Sequence, residues 1–303
     1  MKIDIRGRVD NLKLATTHGL RPVFEAIANS IHAIEDRQGI TGSITITIRR
    51  ATSQGVLREG ARKTHPITDF ELRDNGVGFD ARNYESFNTS DSRYKSDRGG
   101  KGIGRLLWLK AFTKAAVDSI YEKEGGRERR RFDFTYSQSG VENDRVEDAE
   151  DAQISTTVKL IGFKKEYQAK CPKSLDTLAQ RIIEHCLEYL ALDACPRMTL
   201  VDGTTGDEVD LNAMFAENLR TQREDFEVGG QPFQIMHVLT PPRPNEKHSI
   251  NFCAHSRAVT SQPLIGVVPN LEASLTDPER DKPFVYAGYI SSPVLDERVV
   301  AER

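Results

Sequence analysis

The chain has 303 residues, room for two domains at about 100 to 200 residues each, or for one large one. Apolar residues make up 38%, with 22 glycines besides, a globular composition that excludes bulk disorder. Forty-two Lys and Arg stand against 45 Asp and Glu, and a net charge of −3 supplies no overall basic field to hold nucleic acid.

The start, Met1-Lys2-Ile3-Asp4-Ile5-Arg6, alternates charged and apolar residues. No stretch reaches the ~18 apolar residues of a membrane span, so neither signal peptide nor anchor is expected. From Leu20 to Asp36, Val23, Phe24, Ile27, Ile31 and Ile34 recur at steps of three and four, and Pro22 suits a helix start. This predicts a helix ending near Gly39. Ser43 to Arg49 alternates strictly and predicts a strand; Ile67 to Leu72 predicts another, running into Asp74-Asn75-Gly76. The charged stretch between them, Ala51 to Pro66, reads as an exposed loop. Gly78 to Gly104 is polar and glycine-rich and leads into a buried helix over Ile103 to Phe112, the pattern of a lid. Further strands are predicted over Ala115–Tyr121, Arg131–Tyr136 and Ile154–Ile161, with the acidic stretch Glu142 to Asp151 as a solvated loop.

A first domain over residues 1–165 and a second over 166–303 follow. In the second, Ser174 to Leu192 reads as an amphipathic helix, Leu211 to Glu217 as a short one, and strands are predicted at Met198–Val201, Phe233–Leu239, Ser249–Cys253 and Phe284–Ile290. Ser292-Pro293 looks like a helix opening that stops at Arg303, which is the expectation of a chain truncated at its C-terminal end. Four cysteines, Cys171, Cys186, Cys195 and Cys253, lack the CxxC pairs of a zinc site and are too few for a disulfide scaffold, so reduced thiols in a cytoplasm are expected.

Three segments carry chemistry. Glu25 and Asn29, four apart, share one helix face. The carboxamide oxygen is a hard ligand suited to Mg²⁺, and the carboxylate can polarise a water aimed at a phosphate. Asp74 sits where a strand enters a turn, with Gly76 and Gly78 leaving room for a flat ring; its carboxylate accepts from an exocyclic amine such as that of adenine. Gly99-Gly100-Lys101-Gly102-Ile103-Gly104 precedes a helix, so that successive N–H groups converge on anionic oxygens and Lys101 adds a charge. Each element alone is more often a solvated face, a turn or a flexible loop. It is neither a Walker A loop nor a Rossmann fingerprint. The order of helix, strand-turn, lid and helix gives the three segments their joint meaning.

In that order FEAIANSIHA, LRDNGVGF and GGKGIG resemble the nucleotide motifs of the GHKL ATPases, which group DNA gyrase, Hsp90, sensor histidine kinases and MutL. The resemblance covers about residues 20 to 165. It implies an α+β chain with a Bergerat-fold α/β sandwich that binds ATP, followed by a smaller α+β transducer-like domain. It implies that Glu25 activates water, that Asn29 holds Mg²⁺ and that Asp74 binds the adenine amine. Gly76 and Gly78 would line the adenine pocket, and Gly100, Lys101, Gly102 and Gly104 would close over the phosphates. Ser155-Thr156-Thr157-Val158 stands in the place of the GTxV-like fourth motif, with Ser155 for the usual glycine, and makes Thr156 a further contact. His32 stands where aspartate is common and reads as filling a structural slot. Asn251 to Val259 is similar to the MutL-type strand and turn; Arg257 and Lys282 are the candidates for a basic residue reaching the γ-phosphate, unless it lies beyond Arg303.

The resemblance implies an Hsp90-like ATPase that binds ATP-Mg and hydrolyses it slowly, driving lid closure and nucleotide-dependent homodimerisation. A DNA-linked, chaperone-like or prokaryotic defence role, with a protein or DNA client, is expected. The alternative is an ATP-sensing binding module with little or no hydrolysis. Arg127, Arg129, Arg130 and Arg131 form a local basic cluster, read as a solvated face rather than a nucleic-acid contact.

Overall fold

The computed structural model describes residues 4–51, 65–89, 104–190, 195–218, 220–240, 242, 247–254, 257–279 and 281–298. It is a mixed α+β chain with two mixed sheets. The described residues up to 184 and those of 194–211 form one compact unit; those of 185–193 and 212–298 form a second.

The first unit is built on an eight-stranded sheet. Helices α1 (Ile5–Asn11) and α2 (Arg21–Glu35) precede β1 (Ser43–Arg50) and β2 (Ile67–Asp74); α3 (Ala81–Asn88) and α4 (Gly104–Ala111) come next. Then follow β3 (Phe112–Lys123), β4 (Gly126–Thr135), β5 (Val141–Asp148), β6 (Ser155–Phe163), α5 (Lys165–Gln168), α6 (Leu175–His185), β7 (Arg197–Asp202) and β8 (Glu208–Asp210). Spatially the order is β5-β4-β3-β6-β2-β1-β7-β8. All neighbours run antiparallel except β1 and β7, which are parallel. The sheet thus draws on strands that lie beyond residue 165.

Period-two burial makes the sheet one-sided. Ile44, Ile46 and Ile48 of β1 are wholly buried while their neighbours face outward, and burying each such side chain contributes about 1.5–3 kcal/mol. Helix α2 lays a stripe of Val23, Ala26, Ile27, Ser30, Ile31 and Ile34 inward, as its three-four spacing predicts. Its observed span lies inside the predicted one.

Two expectations change. The acidic stretch expected as a loop is instead edge strand β5, exposed along nearly its whole length. Its carboxylates meet cations of β4: Arg131 Nη2 reaches Glu147 at 2.8 Å, and Arg130 Nε lies 3.5 Å from Asp144. Cross-strand charge pairs and a charged edge suit such a strand, yet leave no hydrophobic alternation to read. The polar segment after Gly78 also begins with a helix, α3, capped by Asp80, which accepts from the Asn83 N–H at 2.7 Å. Phe87 of α3 packs 5.2 Å from both Phe132 and Phe134. Residues 90–103, which hold most of the expected lid, lie outside the described residues, as do 52–64 of the expected loop.

The second unit holds α7 (Leu187–Leu190), α8 (Leu211–Asn218), β9 (Arg220–Val228), β10 (Gln231–Thr240), β11 (Ser249–Ala254), β12 (Arg257–Pro263), β13 (Leu275–Asp277), β14 (Lys282–Ser291) and α9 (Pro293–Arg298). Its sheet runs β12-β11-β14-β10-β9, with β13 on β14. Leu187, Met236 and Val238 form its buried centre, with Phe215 and Tyr289 packed against them. Among the described residues no helix is long and apolar enough to cross a membrane.

Candidate nucleotide site

Three central strands carry the site. On the inner face of β2, β6 and β3 the register stacks two apolar rows, Phe70–Leu160–Ala115 and Leu72–Val158–Val117. The next row is Asp74–Thr156–Ser119, three polar side chains in line. They are 4%, 4% and 0% exposed, as deeply buried as the apolar rows behind them. A buried polar row in place of an apolar one costs stability unless each group is hydrogen-bonded. Asp74 Oδ1 accepts the Gly76 N–H at 2.9 Å, and its Oδ2 accepts the Ser30 hydroxyl at 2.8 Å. Ser119 Oγ accepts the Phe79 N–H and lies 2.9 Å from Thr156 Oγ1.

The turn after β2 is stapled to the end of α2. Val77 N–H donates to the Ala33 carbonyl at 2.9 Å, and a Cβ on Gly76 would stand 2.6 Å from the Ala33 carbonyl carbon, so no larger residue fits. Gly78 has φ +81° and lies against Ser119 and Tyr121. Asn75 accepts from the Ser43 N–H and donates to the Thr41 carbonyl, closing the other side of the turn. Asn83 Nδ2 donates to the Gly78 carbonyl at 2.8 Å.

At the second pole, α2 presents half-buried Glu25 and, one turn on, exposed Asn29. The Glu25 carboxyl occupies the space that a side chain on Gly104, the first residue of α4, would fill. The structure therefore joins Glu25 to Gly104, Asp74 to Gly76 and Ser30, and Thr156 to Ser119 near Gly78. Gly100, Lys101 and Gly102 lie outside the described residues. Arg257 and Lys282 fall in the second unit, at the starts of β12 and β14. His32 is buried on α2.

Ser30 and Ser119 are the residues sequence reasoning missed. Ser119 has one available signal: it is the hydroxyl in the inward alternation Ala115, Val117, Ser119, Tyr121.

Burial pushes the Asp74 carboxyl up from 3.8 to about 6, only partly offset by the hydrogen bonds from Gly76 and Ser30. Because the folded value is the higher one, this group's contribution is fully present below pH 3.8 and is lost as pH rises through about 6. The loss corresponds to about 3 kcal/mol. Asp74→Asn removes it, so the variant's thermal midpoint should gain on wild type between pH 4 and pH 7; a pH-independent difference would contradict the buried ionisation.

The arginine cluster is spent on internal partners. Arg129 grips Asp118 through Nε at 2.7 Å and Nη2 at 2.5 Å, which holds that carboxyl below the usual range. Arg130 lies 3.9 Å over the Tyr84 ring and 3.5 Å from Asp144, Arg131 pairs with Glu147, and Arg127 donates to the Ala152 carbonyl.

No protein-family model matches this chain, and comparison with curated proteins also finds no match.

Proposed function

We propose that the first unit is a Bergerat-type ATP-binding domain and that the protein is an ATPase of the GHKL kind, with ATP binding coupled to homodimerisation. The observation that carries this reading is the buried row Asp74–Thr156–Ser119 following two apolar rows of the central strands, beside a glycine turn in which Gly76 has no room for a side chain. A row of this kind serves a ligand with a polar edge and a flat apolar body. Asp74 would accept the adenine amine, Gly76 and Gly78 would face the ring, and the glycine-rich run ending at Gly104 would take the phosphates. Glu25 would orient the attacking water.

The donor set also suits Mg²⁺. Asn29 offers a carboxamide oxygen on the exposed face of α2, and no cluster of three His, Cys, Asp or Glu able to hold a metal is present among the described residues. Asn29 would then be one ligand of an ion bound mainly by phosphate and water. Bound there, the ion would neutralise developing phosphate charge.

The testing experiment is calorimetric titration of Mg-ATP into wild type and Asp74→Asn. Wild type should bind, and the variant should lose at least tenfold in affinity, since a carboxamide presents a donor where the amine needs an acceptor. Only the ionised carboxylate accepts fully, so wild-type affinity should weaken as pH falls from 7 to 5, across the Asp74 value of about 6. Wild type that binds no ATP at pH 7 would sink the reading.

A further inference from the structure

The outer face of the central strands holds a hollow of about 430 Å³ that the nucleotide reading does not use. Side chains alternate across a strand, so next to the buried row Asp74–Thr156–Ser119 stands an outward row, Arg73–Thr157–Asp118–Arg131–Arg145. It runs in register across β2, β6, β3, β4 and β5. Beside it, Lys159 of β6, Ala116 of β3 and Asp133 of β4 form a shorter row. The single methyl of Ala116 leaves a depression among longer neighbours, and its volume lies within the roughly 300–1,000 Å³ of small-molecule pockets.

Charge decides what fits there. Arg129 grips Asp118 at both oxygens, and Asp133 accepts from Lys114 Nζ and Asn143 Nδ2, so both carboxylates are compensated. Arg145 has no partner among the described residues, and neither has the Thr157 hydroxyl. Lys159 shares one carboxylate, that of Glu71, with Arg49. Unspent positive charge therefore stands on two sides of the hollow, Arg145 on β5 and Lys159 with the Thr157 hydroxyl on β6. Those strands are three spacings apart, about 14 Å, which favours an elongated ligand with an anion at each end over a single ion. Between the two sides the Asp118 and Asp133 oxygens keep lone pairs that can accept from hydroxyl groups.

We propose that this hollow is a further ligand site, on the face of the sheet opposite the nucleotide row, which takes a small molecule with a phosphate at each end and hydroxyls between, a sugar bisphosphate in chemical class. Arg145 holds one phosphate through its guanidinium fork, and Lys159 with the Thr157 hydroxyl holds the other. Asp118 and Asp133 accept from the hydroxylated body.

The test titrates fructose 1,6-bisphosphate and fructose 6-phosphate into the full chain by calorimetry. Wild type should bind the bisphosphate about tenfold more tightly, because each end makes its own charge-assisted contact. Arg145→Ala and Lys159→Ala should each weaken the bisphosphate about tenfold and bring it near the monophosphate, and Thr157→Val, which keeps the strand shape, should cost a few-fold. Arg73→Ala removes another exposed arginine of the same row, also without a partner among the described residues, that lies outside the hollow. It should change affinity by no more than about twofold. Asp74→Asn, on the opposite face, should leave bisphosphate binding as it is. A loss in Arg73→Ala equal to that in Arg145→Ala reduces the effect to diffuse surface charge and overturns the site. Binding that survives both Arg145→Ala and Lys159→Ala, or wild type that binds neither compound, overturns it as well. The readout does not involve ATP, so failure here leaves the ATP reading standing, and failure of that reading leaves this site standing.

Discussion

Asp202→Ala should destabilise the first unit by about 3–5 kcal/mol, the usual cost of stranding a buried charge. Arg50 and Asp202 are 4% and 5% exposed at their side chains and meet at 2.5 Å, and Arg50 Nη1 also donates to the His65 carbonyl. Arg50 continues the inward alternation of Ile44, Ile46 and Ile48, so its guanidinium cannot turn to solvent without breaking the strand. Asp202 additionally accepts the Thr204 N–H at 3.0 Å and shapes the turn after β7. Chemical denaturation of Asp202→Ala beside the double variant Arg50→Met/Asp202→Leu checks the account. The double variant should recover much of the loss, because an apolar pair has no charge to desolvate; a double variant as unstable as the single one would contradict it. The pair also has an acid signature. Burial raises the Asp202 carboxyl, but the hydrogen bonds from Arg50 and the Thr204 N–H, with the charge of Arg50, together outweigh it and hold the value below 3.8. The stabilisation is present above pH 3.8 and is lost as pH falls through the lowered folded value.

Glu25→Ala should leave ATP binding within a few-fold of wild type and slow phosphate release by about 10²–10⁴-fold, the range for losing a general base. Its carboxyl is half-buried against Gly104, which has no side chain to displace it. Gly104→Ala puts a methyl into that carboxyl and should reproduce much of the defect by a different route. Binding by calorimetry and steady-state phosphate release separate the two effects. Turnover unchanged in Glu25→Ala would favour a module that senses ATP without using Glu25 to hydrolyse it.

The parts legible in the sequence were those with a period or a fixed spacing. Helix α2, strand β1, the strand that ends at Asp74 and the helix that begins at Gly104 each announced themselves through alternation, three-four spacing or glycine punctuation. Asp74 stands in a short strand-to-turn motif, Thr156 follows only from the family resemblance, and the two are neighbours across β2 and β6. What escaped were relations between strands. Ser119 looks ordinary in its own segment and acquires meaning only when β3 lies beside β6. Arg50 and Asp202 are 152 positions apart, so the alternation that turns Arg50 inward does not reveal which carboxylate meets it. Strand β5 escaped because charge pairing with β4, rather than a buried face, holds it in place. Helix α1 escaped too: its one buried residue is Val9, and Lys110 of α4 anchors its end by donating to the Val9 and Asp10 carbonyls.

The parallel pairing of β1 with β7 carries a consequence for biosynthesis. At about 5–20 residues per second, a ribosome takes roughly 7 to 30 s to travel from one strand to the other. Through that interval β1 is the rim of an unfinished sheet, a row of backbone groups open to any strand that comes by, with Arg50 awaiting its counter-charge. The closing step joins distant segments in parallel and is intrinsically slow. A nascent chain of this design has its greatest exposure to misassembly before residue 197 has emerged, and a fragment that stops short of β7 keeps that exposure for good.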